Sequence, residues 1–277
     1  MDAQEKLDAL KSLIRSFDKL AVAFSGGVDS TLLLSVAHEV LGENCLAVIA
    51  TSSTYPKREY EEAVRWIESR NIRYTTIVSE ELDIPGFSAN PPDRCYHCKK
   101  ELFSKIRDVA AQFGISTIAD GANSDDTGDF RPGMKAAHEL GIRSPLMECG
   151  LTKADIRLIS REIYGLPTAD KQPMACMASR IPYGSAITAG KLRQIEVVED
   201  FLAGKGFRIF RARHHGDLLR LELGKEEMGM AMEEEVTAEI VKIAKTAGFV
   251  YVTMDLQGFR SGSMNEALSS SETDAFR

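Results

Sequence analysis

The stretch that decides the fold is Leu20-Ala21-Val22-Ala23-Phe24-Ser25-Gly26-Gly27-Val28-Asp29-Ser30. Its first five residues form an apolar run, which predicts a buried strand, and the apolar residues that follow recur at helical spacing. The hexapeptide Ser25 to Ser30 therefore joins a strand to a helix. Its two glycines let the backbone approach an anion closely, and the free amides at the start of a helix favour phosphate. The stretch predicts a phosphate-binding loop.

The residue types of this loop narrow its chemistry. Asp29 does not bind phosphate directly, but its carboxylate can hold a Mg²⁺ that does. No lysine follows the glycines, so the loop is not a Walker A motif. A glycine-rich turn that only packs the helix on the strand is the alternative reading. The strand-to-helix context and the residue types together favour phosphate binding.

Strand and helix patterns alternate through the first two thirds of the chain. Apolar runs at 45–50, 72–78 and 117–119 predict further buried strands. Helices are expected over about 57–70, over the segment that carries Leu102 and Phe113, and behind a capping box formed by Thr152 and Asp155. This alternation predicts an α/β domain over residues 1–183, with a parallel sheet and helices on both faces.

The pattern changes after Pro182-Tyr183-Gly184. A helix is expected over 188–204, then a hairpin turning through residues 214–217, then a helix and a strand over 249–255. This order predicts a smaller α+β domain over residues 184–264, of the split-βαβ type. The serine-rich tail, 265–277, is expected to be loosely held.

Composition limits the cellular locations and the binding partners that the sequence allows. No apolar run approaches the length of a membrane span, and the polar N-terminus lacks the features of a secretory signal, so a cytoplasmic protein without a membrane partner is expected. The net charge of −7 disfavours a nucleic-acid partner. The five cysteines are odd in number, which argues against structural disulfides and favours metal, cluster or redox use of close pairs.

The hexapeptide resembles the loop of the PP-loop ATP pyrophosphatases. That resemblance implies cleavage of ATP between its α- and β-phosphates, transfer of AMP to a substrate oxygen, and a loop that holds the leaving pyrophosphate. Other segments resemble the LarE sulfur transferases, with joint coverage of about residues 17–262. These segments are Asp120-Gly121-Ala122-Asn123, Asp129-Phe130-Arg131-Pro132-Gly133, Ala178-Ser179-Arg180-Ile181-Pro182-Tyr183-Gly184 and Gly258-Phe259-Arg260-Ser261-Gly262.

The LarE resemblance implies a substrate and a reaction. The substrate is pyridinium-3,5-biscarboxylic acid mononucleotide, and its carboxylates become thiocarboxylates in the biosynthesis of the nickel-pincer nucleotide cofactor. The implied cofactors are ATP and Mg²⁺. By the same analogy we expect a homo-oligomer, a hexamer built from trimers.

Three cysteines are the candidate sulfur site. Cys95 and Cys98 form a C-x-x-C pair before a helix, and Cys176 lies in the separate segment Met174-Ala175-Cys176-Met177. In one branch of the resembled family a lone cysteine at the Cys176 position gives up its own sulfur. In the other branch three cysteines hold a [4Fe-4S] cluster with one iron left open, and this chain has the three-cysteine pattern. A zinc site that includes His97, a redox dithiol and sacrificial use of Cys176 stay open.

Charged residues complete the candidate site. Arg211 and Arg213 alternate on one strand, so both face the same way, and the resemblance implies that they contact substrate phosphate. A solvated strand face is the alternative for this pair. We also expect Arg180 beside Cys176 to steady the adenylate or pyrophosphate, with Arg260 in a similar role.

Two further groups of residues are assigned to binding. Glu199 and Glu222 are candidate Mg²⁺ ligands, although ordinary surface carboxylates are as frequent in such positions. Asp120 and Asn123 follow a strand at the carboxyl edge of the sheet, where ligands of open α/β sheets bind. With Thr51, they are expected to bind adenosine.

The sequence leaves three other functions open. A tRNA-thiolating enzyme also combines such a loop with a C-x-x-C pair, but the acidic charge argues against it. A non-catalytic ATP sensor and an ammonia-dependent amidotransferase without a glutaminase domain are the others.

Overall fold

The computed structural model describes residues 1–128, 132–172 and 175–267. Within these residues the strands are β1 Leu20–Phe24, β2 Cys45–Thr51, β3 Tyr74–Val78, β4 Ile118–Ala119, β5 Phe210–His215, β6 Leu218–Leu223 and β7 Tyr251–Met254. The helices are α1 Ala3–Arg15, α2 Val28–Leu41, α3 Lys57–Ser69, α4 Arg94–Gln112, α5 Pro132–Glu139, α6 Pro145–Glu148, α7 Lys153–Glu162, α8 Ala189–Gly204, α9 Met228–Ala231 and α10 Glu234–Ala247.

The first sheet is parallel and has the strand order β3-β2-β1-β4. Leu20 pairs with Cys45 and Phe24 with Ile49, so β1 and β2 end at the same edge. Because side chains alternate along a strand, β1 and β2 send residues to two separate cores. Helices α1, α2, α3 and α7 cover one face, and α4 and α5 cover the other. The predicted parallel sheet with helices on both faces is confirmed.

Helix starts follow the local chemistry that the sequence indicated. Thr152 and Asp155 form the expected capping box, in which the Thr152 hydroxyl accepts from the Asp155 amide and the Asp155 carboxylate accepts from the Thr152 amide. The Asp155 carboxylate also pairs with Lys6 of α1 at 2.6 Å. The start of α7 is thereby fixed against α1, on the same face of the sheet.

The second sheet has the order β5-β6-β7. Strands β5 and β6 form the expected antiparallel hairpin, although β5 extends through His215 and only Gly216 and Asp217 turn the chain. Strand β7 lies beside β6 and parallel to it. The expectation of a split βαβ unit was wrong, because β6, α10 and β7 form a βαβ unit whose parallel strands are direct neighbours. The smaller α+β unit itself is present.

A separate apolar core lies under this second sheet. It also contains Phe87, Met177, Ala178 and Ile181, which precede the predicted boundary at residue 184. The boundary itself stays a prediction. Residues 129–131 of the Asp129 to Gly133 segment, Met174 and most of the predicted loose tail lie outside the described residues. In the parts of the chain that the structure describes, no helix is long and apolar enough to cross a membrane.

Candidate active site

The phosphate loop connects the end of β1 to the start of α2. Gly27 occupies the N-cap position of α2 and has no side chain to bond the first amides of the helix. Ser30 folds back under the loop, where its hydroxyl accepts from the Ser25 amide at 3.3 Å and lies 3.1 Å from the Ser25 hydroxyl. The amides of the first turn are therefore left for a ligand, and the partial positive charge at this end of the helix favours an anion there.

Two glycines make this loop possible. Gly26 has a φ of +64°, and a Cβ built there would lie 2.9 Å from the Cβ of Ala63 on α3. Gly121 lies against the other side of the loop, where a Cβ would lie 3.0 Å from the Ser30 amide nitrogen. The loop is thus held between α3 and the segment after β4, and both contacts require the absence of a side chain.

Asp29 faces a cation that the sequence analysis missed. The Lys153 ammonium contacts both carboxylate oxygens of Asp29, at 2.6 Å for Oδ1, and the Asn123 amide donates to the same Oδ1 at 3.3 Å. Lys153 is the first residue of α7, directly after the capping residue Thr152. Its place at the start of a predicted helix was visible in the sequence, but its contact with Asp29 depends on how α7 packs beside the loop.

The predicted adenosine-binding residues lie at the carboxyl edge of the first sheet. Asp120 directly follows β4, and its carboxylate accepts from Ser144 at 2.8 Å. Asn123 is buried and reaches Asp29, so it adjoins the phosphate loop directly. Thr51 ends β2, the neighbour of β1. The structure places all three at the predicted edge, and their contact with adenosine stays a prediction.

The structure brings Cys95, Cys98 and Cys176 together from two segments, and we call them the cysteine site. Burial raises the pKa of Cys95 and of Cys98, and the charge of the Cys176 thiolate raises both further. The Arg94 charge opposes the rise at Cys95. All three thiols are free. Because the charge of Cys176 acts on both thiols of the C-x-x-C pair, the three thiols lie near one another.

The donor groups of the cysteine site bear on which metal it suits. No three His, Cys, Asp or Glu side chains within the described ranges are arranged around a point that would hold a single metal ion. His97 instead lies 3.3 Å from Asp93, one turn earlier on the chain. His97 thus contacts Asp93, whereas the zinc alternative requires it to join the three thiols.

A short bridge links the cysteine site to the phosphate loop. It is the segment 52–56, which follows β2. The Tyr55 hydroxyl donates to the Ser25 carbonyl at 2.7 Å, and the Met177 amide donates to the Thr54 carbonyl at 2.8 Å. Sequence reasoning missed this segment, since its contacts depend on the tertiary fold.

Glu80 and Glu81 tie the same bridge to the C-x-x-C pair. Ser53 of the bridge donates to the Glu80 carboxylate from its hydroxyl at 2.5 Å and from its amide at 3.2 Å. The Cys98 thiol lies 3.8 Å from Oε1 of the adjacent Glu81, and burial raises the pKa of Glu81. The bridge thus contacts the phosphate loop and the Cys176 segment, and it reaches Cys98 through Glu80 and Glu81.

Arg180 holds the Cys176 segment in place. Its guanidinium is only 1% exposed and binds both oxygens of Glu199, at 2.9 and 3.0 Å. Its remaining donors reach the carbonyls of Ala175 and Cys176 at 2.7 and 3.2 Å. Arg180 therefore lies beside Cys176 as expected, and its observed contacts position the backbone that carries the thiol.

The predicted phosphate-binding and Mg²⁺-binding residues of the second unit meet in one group. We call it the arginine–glutamate cluster: Arg180, Arg211, Arg213, Arg220, Glu199 and Glu222. Arg213 donates to Glu222 at 2.7 Å and to the Ser179 carbonyl at 3.0 Å, and Arg220 donates to Glu222 at 3.0 Å. Three guanidinium groups pair with the two carboxylates, and the Arg211 charge interacts with both, so the cluster carries net positive charge.

The surroundings of Arg211 disfavour its positive charge. Burial lowers its pKa to about 10, and the charges of Arg180 and Arg213 lower it as well. Its guanidinium lies 4.8 Å from the centre of the Phe259 ring. Arg211 and Arg213 alternate on β5 as predicted. Arg260 lies farther along the chain and pairs with Glu266 at 3.2 Å and Asp255 at 3.7 Å.

The fold and the phosphate loop define a PP-loop domain, the ATP-using class to which the ATP pyrophosphatases belong. Residues 4–105 match the family model described as NAD synthase. One component of the glutamine-hydrolysing GMP synthase of Thermoplasma volcanium is 26% identical over 74% of this chain and 70% of its own length.

Two relatives match nearly the whole chain. An uncharacterised protein of Synechocystis sp. is 38% identical over 96% of this chain and 99% of its own length. The pyridinium-3,5-bisthiocarboxylic acid mononucleotide synthase of Lactiplantibacillus plantarum is 36% identical over 98% of both chains. The chain therefore belongs to the family of that synthase, the LarE family, and is an enzyme of the PP-loop class.

Proposed function

We propose that this enzyme is an ATP-dependent sulfurtransferase that converts the carboxylates of pyridinium-3,5-biscarboxylic acid mononucleotide to thiocarboxylates, for nickel-pincer nucleotide cofactor biosynthesis. The observation that carries the proposal is the bridge 52–56, which contacts both the phosphate loop and the segment of Cys176. It couples a place where a carboxylate can be adenylated to a place where sulfur can be held. A relative that shares nearly the full length is named as the synthase of the bisthiocarboxylic product.

Adenylation is the first step. The ATP phosphates bind the amides of residues 26–30, and a substrate carboxylate oxygen attacks the α-phosphorus. The bond to the β-phosphate bridge oxygen breaks, and the loop amides stabilise the charge that develops on the departing pyrophosphate. The acyl-adenylate remains.

Asp29 suits a Mg²⁺ ion because it already accepts a cation, the Lys153 ammonium. When bound there, Mg²⁺ would neutralise phosphate charge. Glu199 and Glu222 remain predicted Mg²⁺ ligands, and binding a metal requires each carboxylate to leave its arginine.

The cysteine site fits a [4Fe-4S] cluster through the chemistry of its donors. Burial and the neighbouring Cys176 charge raise the pKa of Cys95 and of Cys98, so their thiolates need a cationic partner, and thiolates are the ligands such clusters use. Cys95, Cys98 and Cys176 would hold the cluster, which would supply an open iron able to carry a sulfide. Sulfur donation by Cys176 itself is the competing proposal.

Sulfur transfer is the second step. A hydrosulfide ion attacks the carbonyl carbon of the acyl-adenylate, and the bond from that carbon to the AMP oxygen breaks. The products are a thiocarboxylate, AMP that carries one former carboxylate oxygen, and a proton. Two rounds give the bisthiocarboxylic product. The net positive arginine–glutamate cluster is proposed to bind the phosphate of the mononucleotide through Arg211 and Arg213.

The test of the cluster uses chain that is purified and reconstituted without oxygen. We expect about four irons per chain, and each of Cys95→Ala, Cys98→Ala and Cys176→Ala should abolish iron binding. Cys149→Ala is the matched control, since Cys149 lies outside the cysteine site. Full iron loading of the Cys95→Ala, Cys98→Ala double variant would refute the cluster assignment.

The same preparation distinguishes the cluster from sacrifice of the Cys176 sulfur. If Cys176 is sacrificed, the mass of the chain falls by one H₂S for each thiocarboxylate formed. If the cysteine site is a cluster, the mass of the chain after turnover is unchanged. The hexameric assembly is tested by sedimentation of the same protein.

A further inference from the structure

Tyr55 makes a side-chain contact with the phosphate loop that the reaction above does not use. Its hydroxyl donates to the Ser25 carbonyl at 2.7 Å, directly before the two glycines of the loop. A Cβ built on Gly26 would lie 3.9 Å from the Tyr55 oxygen, so the hydroxyl lies beside the peptide group that joins Ser25 to Gly26. Burial raises the pKa of Tyr55, and the charges of Glu59 and Glu62 raise it further, so the hydroxyl stays protonated and remains a donor.

The geometry of a peptide group turns this contact into a constraint on the loop. The peptide between Ser25 and Gly26 is planar and trans, so its carbonyl and its N–H point in opposite directions. A hydrogen bond that fixes the direction of the Ser25 carbonyl therefore also fixes the direction of the Gly26 amide. Among the residues that the structure describes, no acceptor binds that amide. It lies just before the start of α2, where an anion is favoured, so Tyr55 holds an available loop amide in one orientation.

Gly26 cannot fix this orientation by itself. Its φ of +64° is open to glycine, but glycine adopts negative φ values about as readily. The peptide before a glycine can therefore rotate, and nothing in the residue selects the orientation that presents the amide to a ligand. A hydrogen bond from a fixed neighbour removes this freedom, and Tyr55 supplies that bond.

The backbone that carries Tyr55 is itself held at several points. Tyr55 belongs to the bridge 52–56, and its amide donates to the Ser52 carbonyl at 3.3 Å, which closes a turn. The preceding residue, Thr54, is only 1% exposed, and its carbonyl accepts from the Met177 amide at 2.8 Å. The Tyr55 hydroxyl therefore acts on the loop from a turn that is fixed before any ligand binds.

We propose that Tyr55 is a positioning residue of the adenylation step and aims the Gly26 amide at the pyrophosphate that leaves ATP. This inference rests on the proposed function, because it names what orients a loop amide in that reaction. Tyr55 contacts the loop and not the reacting atoms, and it exchanges no proton with them. A donor that is aimed in advance at the place where charge develops needs no reorganisation during the reaction.

The first test measures binding and needs no turnover. Calorimetry gives the affinity of the full chain for pyrophosphate with Mg²⁺ and for adenosine, a probe without phosphate. Tyr55→Phe removes the donor and keeps the ring. The Kd for pyrophosphate should therefore rise about three- to tenfold, the range for losing one neutral hydrogen bond, while the Kd for adenosine stays unchanged.

A second tyrosine supplies the matched control for this binding test. The Tyr60 hydroxyl lies on the same helix-and-bridge region but contacts Thr76 at 3.2 Å, so Tyr60→Phe should leave both Kd values unchanged. An unchanged Kd for pyrophosphate in Tyr55→Phe would overturn the inference. Equal weakening of pyrophosphate and adenosine would also overturn it, because that result indicates general damage to the site.

The second test observes the Gly26 amide directly by NMR. The chain contains two Ser-Gly peptides, Ser25-Gly26 and Ser261-Gly262, so carbonyl-¹³C serine combined with ¹⁵N glycine leaves two amide signals in a carbonyl-selected spectrum. Ser261→Ala removes one signal and assigns the other to Gly26. Pyrophosphate should move the Gly26 amide proton downfield in the wild-type chain and move it less in Tyr55→Phe. No shift in the wild-type chain, or an equal shift in both proteins, contradicts the proposed role.

Turnover by reconstituted protein separates a failure of this inference from a failure of the proposed function. Tyr55→Phe should slow pyrophosphate release about three- to tenfold. Its iron content should equal that of the wild-type chain, because the bond from the Met177 amide to the Thr54 carbonyl does not involve the lost hydroxyl. Unchanged release, or a loss of iron, overturns the inference. A wild-type chain that binds pyrophosphate as expected but forms no thiocarboxylate refutes the proposed function and leaves the role of Tyr55 in the loop standing.

Discussion

Replacing Gly26 by alanine tests how the phosphate loop is held. The backbone at Gly26 has a φ of +64°, a region that costs an alanine about 1–2 kcal/mol. The new Cβ would lie 2.9 Å from the Ala63 Cβ, and overpacking of this kind costs about 1–3 kcal/mol. Gly26→Ala should therefore lower the free energy of unfolding by about 2–5 kcal/mol and impair pyrophosphate release.

A double-mutant cycle separates the two contributions. Ala63→Gly alone should cost about 1 kcal/mol, because Ala63 lies inside helix α3. In the double variant the steric contact is gone but the strained φ remains. The two substitutions should therefore couple by about 1–3 kcal/mol, the size of the steric part.

The chain supplies its own probe for this measurement. Its single tryptophan, Trp66, stacks on Phe24 with ring centres 5.6 Å apart, directly before the loop. Denaturant unfolding followed by Trp66 fluorescence thus reports the first core, and circular dichroism reports the whole chain. Strict additivity of the two substitutions would refute the contact between loop and α3.

Other predictions follow from the ion pairs. Lys153→Met removes the cation that competes for Asp29, so pyrophosphate release should reach half its maximum at a lower Mg²⁺ concentration; an unchanged or higher requirement would contradict this. Arg180→Met leaves Glu199 buried without its partner and should destabilise the chain by about 3–5 kcal/mol, and adding Glu199→Met should recover much of that loss in thermal unfolding. Burial raises the pKa of Asp155, but hydrogen bonds from Lys6 and Thr152 outweigh it and hold the pKa at about 2, below the ordinary 3.8. Its stabilisation is therefore complete above about pH 4 and is lost as pH falls toward about 2, so Asp155→Asn should flatten the stability profile in that window; a profile like that of the wild-type chain would count against this assignment.

Local patterns were enough to predict the first sheet and its loop. The apolar run before Gly26 and the capping box at Thr152 each depend on neighbouring residues, and both are confirmed. The topology of the second sheet was less accessible, because strand order depends on which edge β7 joins, and the sequence of elements alone does not fix that edge.

Side-chain partners across the fold were hardest to predict. Lys153 lies 124 residues from Asp29, and the contact arises only when α7 packs beside the loop. Tyr55 follows a predicted strand, but its hydrogen bond to the Ser25 carbonyl is a tertiary property. Arg180 and Arg213 were placed in the site by resemblance, and their pairing with Glu199 and Glu222 required the second sheet to form.

The most direct test of the central claim follows the carboxylate oxygen. Reconstituted enzyme is given ATP, Mg²⁺, hydrosulfide and pyridinium-3,5-biscarboxylic acid mononucleotide labelled with ¹⁸O in its carboxylates, and AMP, pyrophosphate and thiocarboxylate are measured together. The account predicts one AMP and one pyrophosphate for each thiocarboxylate formed, with ¹⁸O in the phosphate of AMP. Thiocarboxylate accompanied by unlabelled AMP, or ATP cleavage to ADP and phosphate, would contradict it.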